Sequence, residues 1–400
     1  MHRSGGAPSV RPRILLIEPN VLHEEVLAPQ IELLKEDFAI TVAAPREVLD
    51  CDLMQVYQGM FDSVVLASYR RPRIAALEFA ARALVHARRY ARLTAAVRRG
   101  AYRCLVFNTV SGPAHVRVIR RLFAGLPKVH VIHNGQLYLA PKRRKLLRTF
   151  QRNVVISEDV KHNFSELLGG AEGAELDYFL PIFFDTALSS MSRADLAASY
   201  PVGQETVNIG VVGSIVPQRR NYSGLFRSLS GSHNALAGAP FRIHLLSRIP
   251  SSYARLIRDL DIGEHLVTYE QRLPFTALFS LLERMDLLAF LIDRNVPNSQ
   301  HYNRTKISGT SSILKAFRKP ALSSTDFKVD SAWKAATFFY PEDRIEEFLT
   351  AIARGEITKE SIASRAANLQ VPSYMSLEEQ RRQYTGLVAA AIEEAERRSP

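Results

Sequence analysis

Short apolar runs alternate with amphipathic stretches along most of this chain, and the alternation is made twice. Arg13–Ile17, Phe38–Ala43, Asp62–Ala67, Cys104–Asn108, Lys128–His133, Asn153–Ser157 and Phe179–Ile182 read as strands. Between them Glu24–Lys35, Ile74–Arg99, Ala114–Leu122 and Glu158–Leu168 carry apolar residues at helical spacing. Continuous apolar runs suit parallel strands covered on both faces, and the helices between them are then the crossovers. The chain is therefore expected to be α/β.

Residues 187–206 lose the pattern, which then restarts. Val207–Val212, Phe241–Leu246, His265–Tyr269, Leu287–Ile292, Pro320–Ser323 and Ala336–Phe339 are the second set of strands. Tyr222–Ser230, Tyr253–Leu260, Phe275–Arg284, Ser311–Phe317 and Glu342–Ala353 are the helices among them, and Leu377–Arg398 is a long final helix. A chain of 400 residues exceeds one ordinary core, so two Rossmann-like domains in tandem are expected. Their predicted bounds are 13–186 and 207–372, after a flexible terminus at 1–12, with 187–206 as the junction and 373–400 as a C-terminal segment.

Charge is the uneven part of the composition. The net +12 conceals a segment, Val64–Arg152, with 20 Lys and Arg against one acid, Glu78. That is +19, and the rest of the chain carries −7. Such a segment implies an anionic partner or a set of solvated helix faces. Arg88, Arg89 and Arg92 lie in one predicted helix, and Lys142, Arg143, Arg144 and Lys145 form a second cluster. Basic stretches beside apolar residues suit an anionic membrane surface. A recognition helix, an aromatic stacking platform and a zinc module are all missing, which speaks against nucleic acid. Cys51 and Cys104 are too few for a disulfide framework. With no signal-like core and no run of roughly 20 apolar residues, a cytosolic protein is expected.

Two loops of the second half could hold an anion. In Val211–Asn221, Gly213 permits a tight turn after a strand, and Arg219 and Arg220 flank the helix that follows. In Tyr302–Ser312, Lys306, Ser308, Gly309, Thr310 and Ser311 lead into a helix, where free N–H groups and hydroxyls gather. A plain strand–helix turn or ordinary Ser/Thr capping gives the same composition. Both loops in one half, each with basic residues, favour a diphosphate site.

These residues carry a family resemblance. The Gly213–Asn221 pattern, with Ser214 and Pro217, resembles the glycine loop of the GT-B glycosyltransferases, within their broad family-4-like group. Lys306–Leu322 resembles that group's diphosphate-binding helix start and its following strand, and Phe179–Asp185 its entry to the second domain. The resemblance implies two Rossmann-like domains with a deep interdomain cleft and a C-terminal helix packing back on the N-domain. It implies a nucleotide-sugar donor in the second domain, with Tyr269, Arg272 and Leu273 on the nucleotide-base side. The acceptor would be lipid-linked or a saccharide, taken by the first domain. It further implies a hexosyltransferase-type enzyme without cofactor or required metal, peripheral on the inner face of a bacterial cell membrane, in cell-surface polysaccharide or glycolipid synthesis.

The chain departs from that family where the retaining members carry two glutamates eight positions apart. Thr305 and Ile313 stand there, and Asn20–Glu24 replaces the Gly-Gly loop after the first strand. The alternatives are an inverting or atypical enzyme and a catalytically inactive scaffold of a polysaccharide-assembly complex. An inverting transfer needs a base on the acceptor hydroxyl. The candidates from the first domain are His133, at a strand end, and His23 and Glu24, in the first strand–helix loop.

Overall fold

A computed structural model describes residues 11–69, 77–110, 112–169, 176–191, 200 and 202–398. The chain divides into two compact units, residues 1–181 with 376–400, and residues 182–375.

The first unit is built on an all-parallel seven-stranded sheet. Its strands are β1 (Arg13–Ile17), β2 (Ala39–Pro45), β3 (Phe61–Leu66), β4 (Cys104–Asn108), β5 (Lys128–Ile132), β6 (Arg152–Val155) and β7 (Leu176–Tyr178). Their spatial order is β3-β2-β1-β4-β5-β6-β7. The helices α1 (Glu24–Leu34), α2 (Glu78–Gly100), α3 (Pro113–Leu122) and α4 (Glu158–Leu168) are the crossovers. β1 is central: Ile14, Leu15 and Leu16 are fully buried, as a strand covered on both faces requires. The chain winds outward through β2 and β3, then returns to β4 beside β1 and winds the other way. The strand order therefore reverses between β1 and β4.

The second unit repeats the plan with six parallel strands. They are β8 (Val207–Val212), β9 (Phe241–Arg248), β10 (Leu266–Tyr269), β11 (Leu287–Ala289), β12 (Ala321–Ser324) and β13 (Thr337–Tyr340), ordered β10-β9-β8-β11-β12-β13. Its order reverses between β8 and β11. The main helices are α5 (Tyr222–Gly231), α6 (Ser251–Asp259), α7 (Phe275–Arg284), α8 (Gly309–Phe317), α9 (Ile345–Ala353) and α10 (Lys359–Ala367). One core joins Val207, Ile209 and Val211 of β8 to Phe241, Ile243 and Leu245 of β9, and to Leu225, Phe226, Phe348 and Leu349 of α5 and α9.

The last helix, α11 (Leu377–Arg398), belongs to the first unit. Tyr384 is fully buried, stacked on Phe179 with ring centroids 4.4 Å apart, and its hydroxyl accepts from Gln30 Nε2 at 2.7 Å. Gln380 Oε1 accepts from Leu180 N at 2.8 Å. Near its end, Glu394 and Glu396 pair with Arg152 and Arg103.

Several element bounds differ from the sequence reading for local reasons. The strand expected at Phe179–Ile182 is instead β7, three residues earlier. From Leu180 the backbone turns to Gln380, and Pro181 has no N–H to donate to a ladder. β11 stops at Ala289 because Leu291 adopts a left-handed conformation, φ 50°. The helix expected from Glu342 starts at Ile345, since Glu342 is also left-handed, φ 51°. α10, opened by a capping box between Thr358 and Ser361, lies where the sequence pattern predicts no helix. The start of the helix expected at Ile74 lies outside the described residues, as do residues 1–10 of the predicted flexible terminus. Of the predicted junction, 192–199 and 201 also lie outside them, and Asp185–Met191 is helical.

Removing the Tyr384 ring leaves a buried cavity and takes one hydrogen bond from Gln30, which keeps its pair with Asn108. Tyr384→Ala is expected to lower unfolding stability by about 3–5 kcal/mol, read from urea denaturation.

Candidate functional site

Open parallel sheets bind ligands at the carboxyl ends of their strands, where the strand order reverses. In the second unit that point lies beyond β8 and β11. Gly213 follows β8 with φ 98°, a conformation that costs only glycine nothing. A Cβ there would lie 3.0 Å from Arg220 Nη2 and 3.1 Å from Nη1. The missing side chain thus admits a guanidinium against the turn.

Arg220 is 5% exposed. Its Nη2 donates to Thr310 Oγ1 at 2.9 Å, while its Nε has no hydrogen-bond partner. No carboxylate pairs with it among the described residues. Thr310 sits in the first turn of α8, whose N-cap Ser308 accepts from Thr310 N at 3.3 Å. That turn contains no acid, and a Cβ on Gly309 would meet nothing within 4 Å. The positive end of the helix dipole is therefore open and uncompensated. Ser311 donates its N–H to Ser308 O. Lys306 lies with Nζ 4.1 Å from the Tyr302 ring centroid, and its pKa is lowered by burial and by Arg219 nearby. Ser214 and Arg219 are exposed.

The structure thus brings Gly213, Arg220, Ser308, Gly309 and Thr310 together, with Lys306 and Arg219 near each other. Asn221 has a different task. Its Oδ1 accepts from Gly224 N at 2.8 Å to cap α5, and its Nδ2 donates to Asp293 Oδ2 at 2.7 Å. Both ends of the amide are used in pinning α5 to the loop after β11. Tyr269, expected on the base side, has its hydroxyl 3.5 Å from His244 Nδ1 and its ring 5.9 Å from that of Tyr200. Leu273 is buried and Arg272 exposed.

In the first unit the reversal lies beyond β1 and β4, and it is bridged by a carboxylate the sequence reading missed. Glu18, directly after β1, is fully buried. Its Oε1 accepts from Thr109 Oγ1 at 2.6 Å and from Asn20 N at 2.8 Å. Thr109 follows β4, and its hydroxyl in turn accepts from Asn20 Nδ2 at 2.7 Å. Glu18 Oε2 has no hydrogen-bond partner among the described residues. Burial raises the Glu18 pKa to about 7, against the lowering effects of His23, Thr109 and Asn20. The signal available in the sequence is an acid directly after the apolar run Ile14–Ile17.

His23 and His133 meet at the same strand ends, edge to face with centroids 4.6 Å apart. His23 is left-handed, φ 80°, and its Nδ1 lies 3.4 Å from Glu25 Oε1. Burial depresses the His23 pKa, but Glu25, Glu18 and Glu24 together outweigh it and raise it. His133 is held well below the usual imidazole range by burial, then by His23 and His130, and its Nε2 has no partner. Glu24 is buried in the first turn of α1, where its charge acts on His23.

The basic residues expected to form one surface do not act alike. Arg89 is buried, with Nε donating to Ala67 O at 2.7 Å and its charge acting toward Glu18. Arg92 donates to Val65 O at 2.6 Å. Arg144 donates to Leu139 O, Leu167 O and Leu168 O, closing the end of α4. Arg88, Lys142, Arg143 and Lys145 remain exposed. Among the described residues no group of three His, Cys, Asp or Glu could hold a metal ion.

Comparison with solved structures identifies the architecture. Sucrose-phosphate synthase from Thermosynechococcus elongatus aligns over 97% of this chain and 98% of its own, at 10% identity and TM-score 0.61. The fold is GT-B. A trehalose-6-phosphate protein from E. coli bound with UDP-2-fluoro glucose aligns over 96% and 99%, at 11% identity and TM-score 0.58. UDP-GlcNAc 2-epimerase from Neisseria meningitidis bound to UDP-GlcNAc aligns over 97% and 100%, at 15% identity and TM-score 0.56. No family model and no curated protein matches the chain. At these identities the GT-B likeness is one of fold.

Glu18 gives a pH signature. Its folded pKa, about 7, exceeds the ordinary 4.5, so the folded state binds the extra proton between those values. Stability from this group is present below pH 4.5 and lost as pH rises through 7. Glu18→Gln is expected to match wild type at pH 4 and exceed it by roughly 2–3 kcal/mol at pH 8, in urea melts.

Proposed function

We propose that the protein is a glycosyltransferase whose second unit binds a nucleotide-diphosphate sugar. One observation carries the reading: Arg220 is buried beside Gly213 and the open end of α8, with no carboxylate among the described residues to pair it. An uncompensated buried charge costs several kcal/mol, and an anion seated there removes that cost. The diphosphate supplies the charge, α8 the N–H groups, and Arg220 and Lys306 the cationic donors. Solved structures of similar fold holding UDP-2-fluoro glucose and UDP-GlcNAc support the same donor chemistry. The donor binds without a metal in this reading, with cations of the chain meeting the diphosphate charge.

The test is a panel of nucleotide sugars screened for thermal stabilisation, with Arg220→Met beside wild type. A donor at 100 times its Kd stabilises the folded state by about 2.7 kcal/mol. We expect wild type to be stabilised by at least one UDP-sugar and Arg220→Met by none, while Arg220→Met without ligand is no less stable than wild type. An unshifted wild type across the panel would falsify the reading. Isomerised nucleotide sugar formed without an acceptor would point instead to an epimerase.

The acceptor reading follows from the first unit. Phe79 is 85% exposed on α2, with Leu77 and Leu84 each 52% exposed and Arg88 on the same helix. Apolar side chains beside bases favour an anionic bilayer over bulk water. The acceptor is then lipid-linked or a saccharide presented at the inner face of a bacterial membrane, in cell-surface glycan synthesis. No helix among the described residues is long and apolar enough to cross a membrane. In flotation with phosphatidylcholine–phosphatidylglycerol vesicles, wild type is expected to co-float. Phe79→Glu combined with Arg88→Glu is expected to stay at the bottom of the gradient. Equal flotation of both would remove this surface from the account.

A further inference from the structure

A cluster of titratable side chains joins α2 to α3 within the first unit. The rings of His86 and His115 stand edge to face with centroids 4.2 Å apart. Tyr90 Oη lies 2.9 Å from His115 Nδ1, which fixes the second ring. His115 is in the first turn of α3, and a Cβ on Gly112 before it would lie 3.0 Å from His115 Cδ2. Glycine there lets the imidazole fold back over the helix start. Both rings are only half-buried, so solvent reaches them. His86 makes no hydrogen bond among the described residues, and no carboxylate among them pairs with either ring. α2 and α3 together carry nine arginines and one acid, Glu78, which pairs with Arg82. Burial, Arg89 and Arg82 lower the His86 pKa, while burial, His86 and Arg89 push that of His115 down to about 4. The charge of Arg89 is answered in part by Glu18 and Glu47. Two imidazoles in contact beside arginines are therefore neutral near pH 7, and they gain protons readily only when an anion arrives with them.

The same side of α2 carries an apolar group in water. Phe79, His86, Tyr90 and Leu93 follow at helical spacing, which places them on one face. Leu93 is buried in the core and Tyr90 packs against it. The core ends short of the first turns, where Phe79 is left 85% exposed. Phe79 stands about 10 Å along the helix axis from His86. An exposed aromatic ring on the core-facing side of a helix, two turns from imidazoles that lack a counter-charge, matches an amphiphile with an anionic head and an apolar tail. We propose that His86 and His115 bind the phosphate headgroup of a lipid, with its apolar chain against Phe79. The proposal rests on the membrane reading above and names the group recognised, a phosphomonoester. Its two negative charges let the rings take up protons, each then donating to a phosphate oxygen. The surrounding arginines draw the head toward this end of α2.

The test titrates the full chain with dioctanoyl phosphatidic acid below its micelle concentration, and with glycerol 3-phosphate and dioctanoylglycerol. Binding is followed by calorimetry between roughly pH 6.5 and 8, beside thermal melts. Wild type should bind the lipid phosphate at least about tenfold more tightly than either fragment. Its affinity should fall about tenfold for each unit of rising pH, as the proton taken up on binding becomes harder to supply. His86→Gln, which leaves the Tyr90–His115 bond in place, should lose about tenfold in affinity and flatten the pH dependence. Phe79→Ser should bind the lipid no better than glycerol 3-phosphate, at an unchanged Tm. Glycerol 3-phosphate bound as tightly as the lipid would overturn the lipid assignment, and an affinity that neither pH nor the two variants change would overturn the site. Wild type that floats on phosphatidylcholine–phosphatidylglycerol vesicles yet binds no lipid phosphate contradicts this proposal alone. Wild type that neither floats nor binds removes the membrane reading with it.

Discussion

Parallel strands cannot be joined by tight turns. Each connection must cross a face of the sheet, and a chain that starts at the centre must wind outward, return, and wind the other way. Where it returns, two neighbouring strands send their following loops in opposite directions, leaving a gap at their carboxyl ends. Both units are built this way, with the gap between β1 and β4 in one and between β8 and β11 in the other. Each gap contains a buried charged group with one unsatisfied polar atom. Glu18 keeps Oε2 unused in the first, and Arg220 keeps Nε unused in the second. A guanidinium placed this way suits an incoming phosphate.

The sheets were legible because their strands are buried on both faces. Runs such as Ile14–Ile17 and Val207–Val212 need no alternation, and little else in a soluble chain resembles them. Legibility fell where backbone conformation or a distant side chain decides the outcome. The early end of β11 depends on Leu291 adopting positive φ, and the displacement of β7 on a glutamine 200 positions away. The donor loop was readable from Gly213 and the Ser308–Ser311 composition, because glycine and capping residues signal locally. That Arg220 and not Arg219 is the buried cation is a matter of packing. Glu18 was missed because Glu-Pro-Asn after a strand looks like any polar turn. Its meaning appears only with Thr109, 91 residues on.

The basic excess also changes meaning once folded. Lys128, Arg89, Arg92 and Arg144 serve backbone carbonyls, and Arg103 and Arg152 meet acids of α11. Part of the charge that looked like one anionic-partner surface is thus tied to backbone carbonyls and to α11. Exposed bases of the segment include Arg88, Lys142, Arg143 and Lys145, and also Arg98, Arg117, Arg120, Arg121 and Arg148. A membrane contact drawn from these residues gains on the order of 1 kcal/mol for each base at an anionic surface.

The central claim is that buried charge without a partner marks the ligand sites, and a crystal structure of the full chain soaked with UDP tests it most directly. The account predicts the diphosphate at the first turn of α8, within hydrogen-bond distance of Arg220 and of the N–H groups of Gly309 and Thr310. A diphosphate bound elsewhere, with the Arg220 guanidinium untouched, would contradict it.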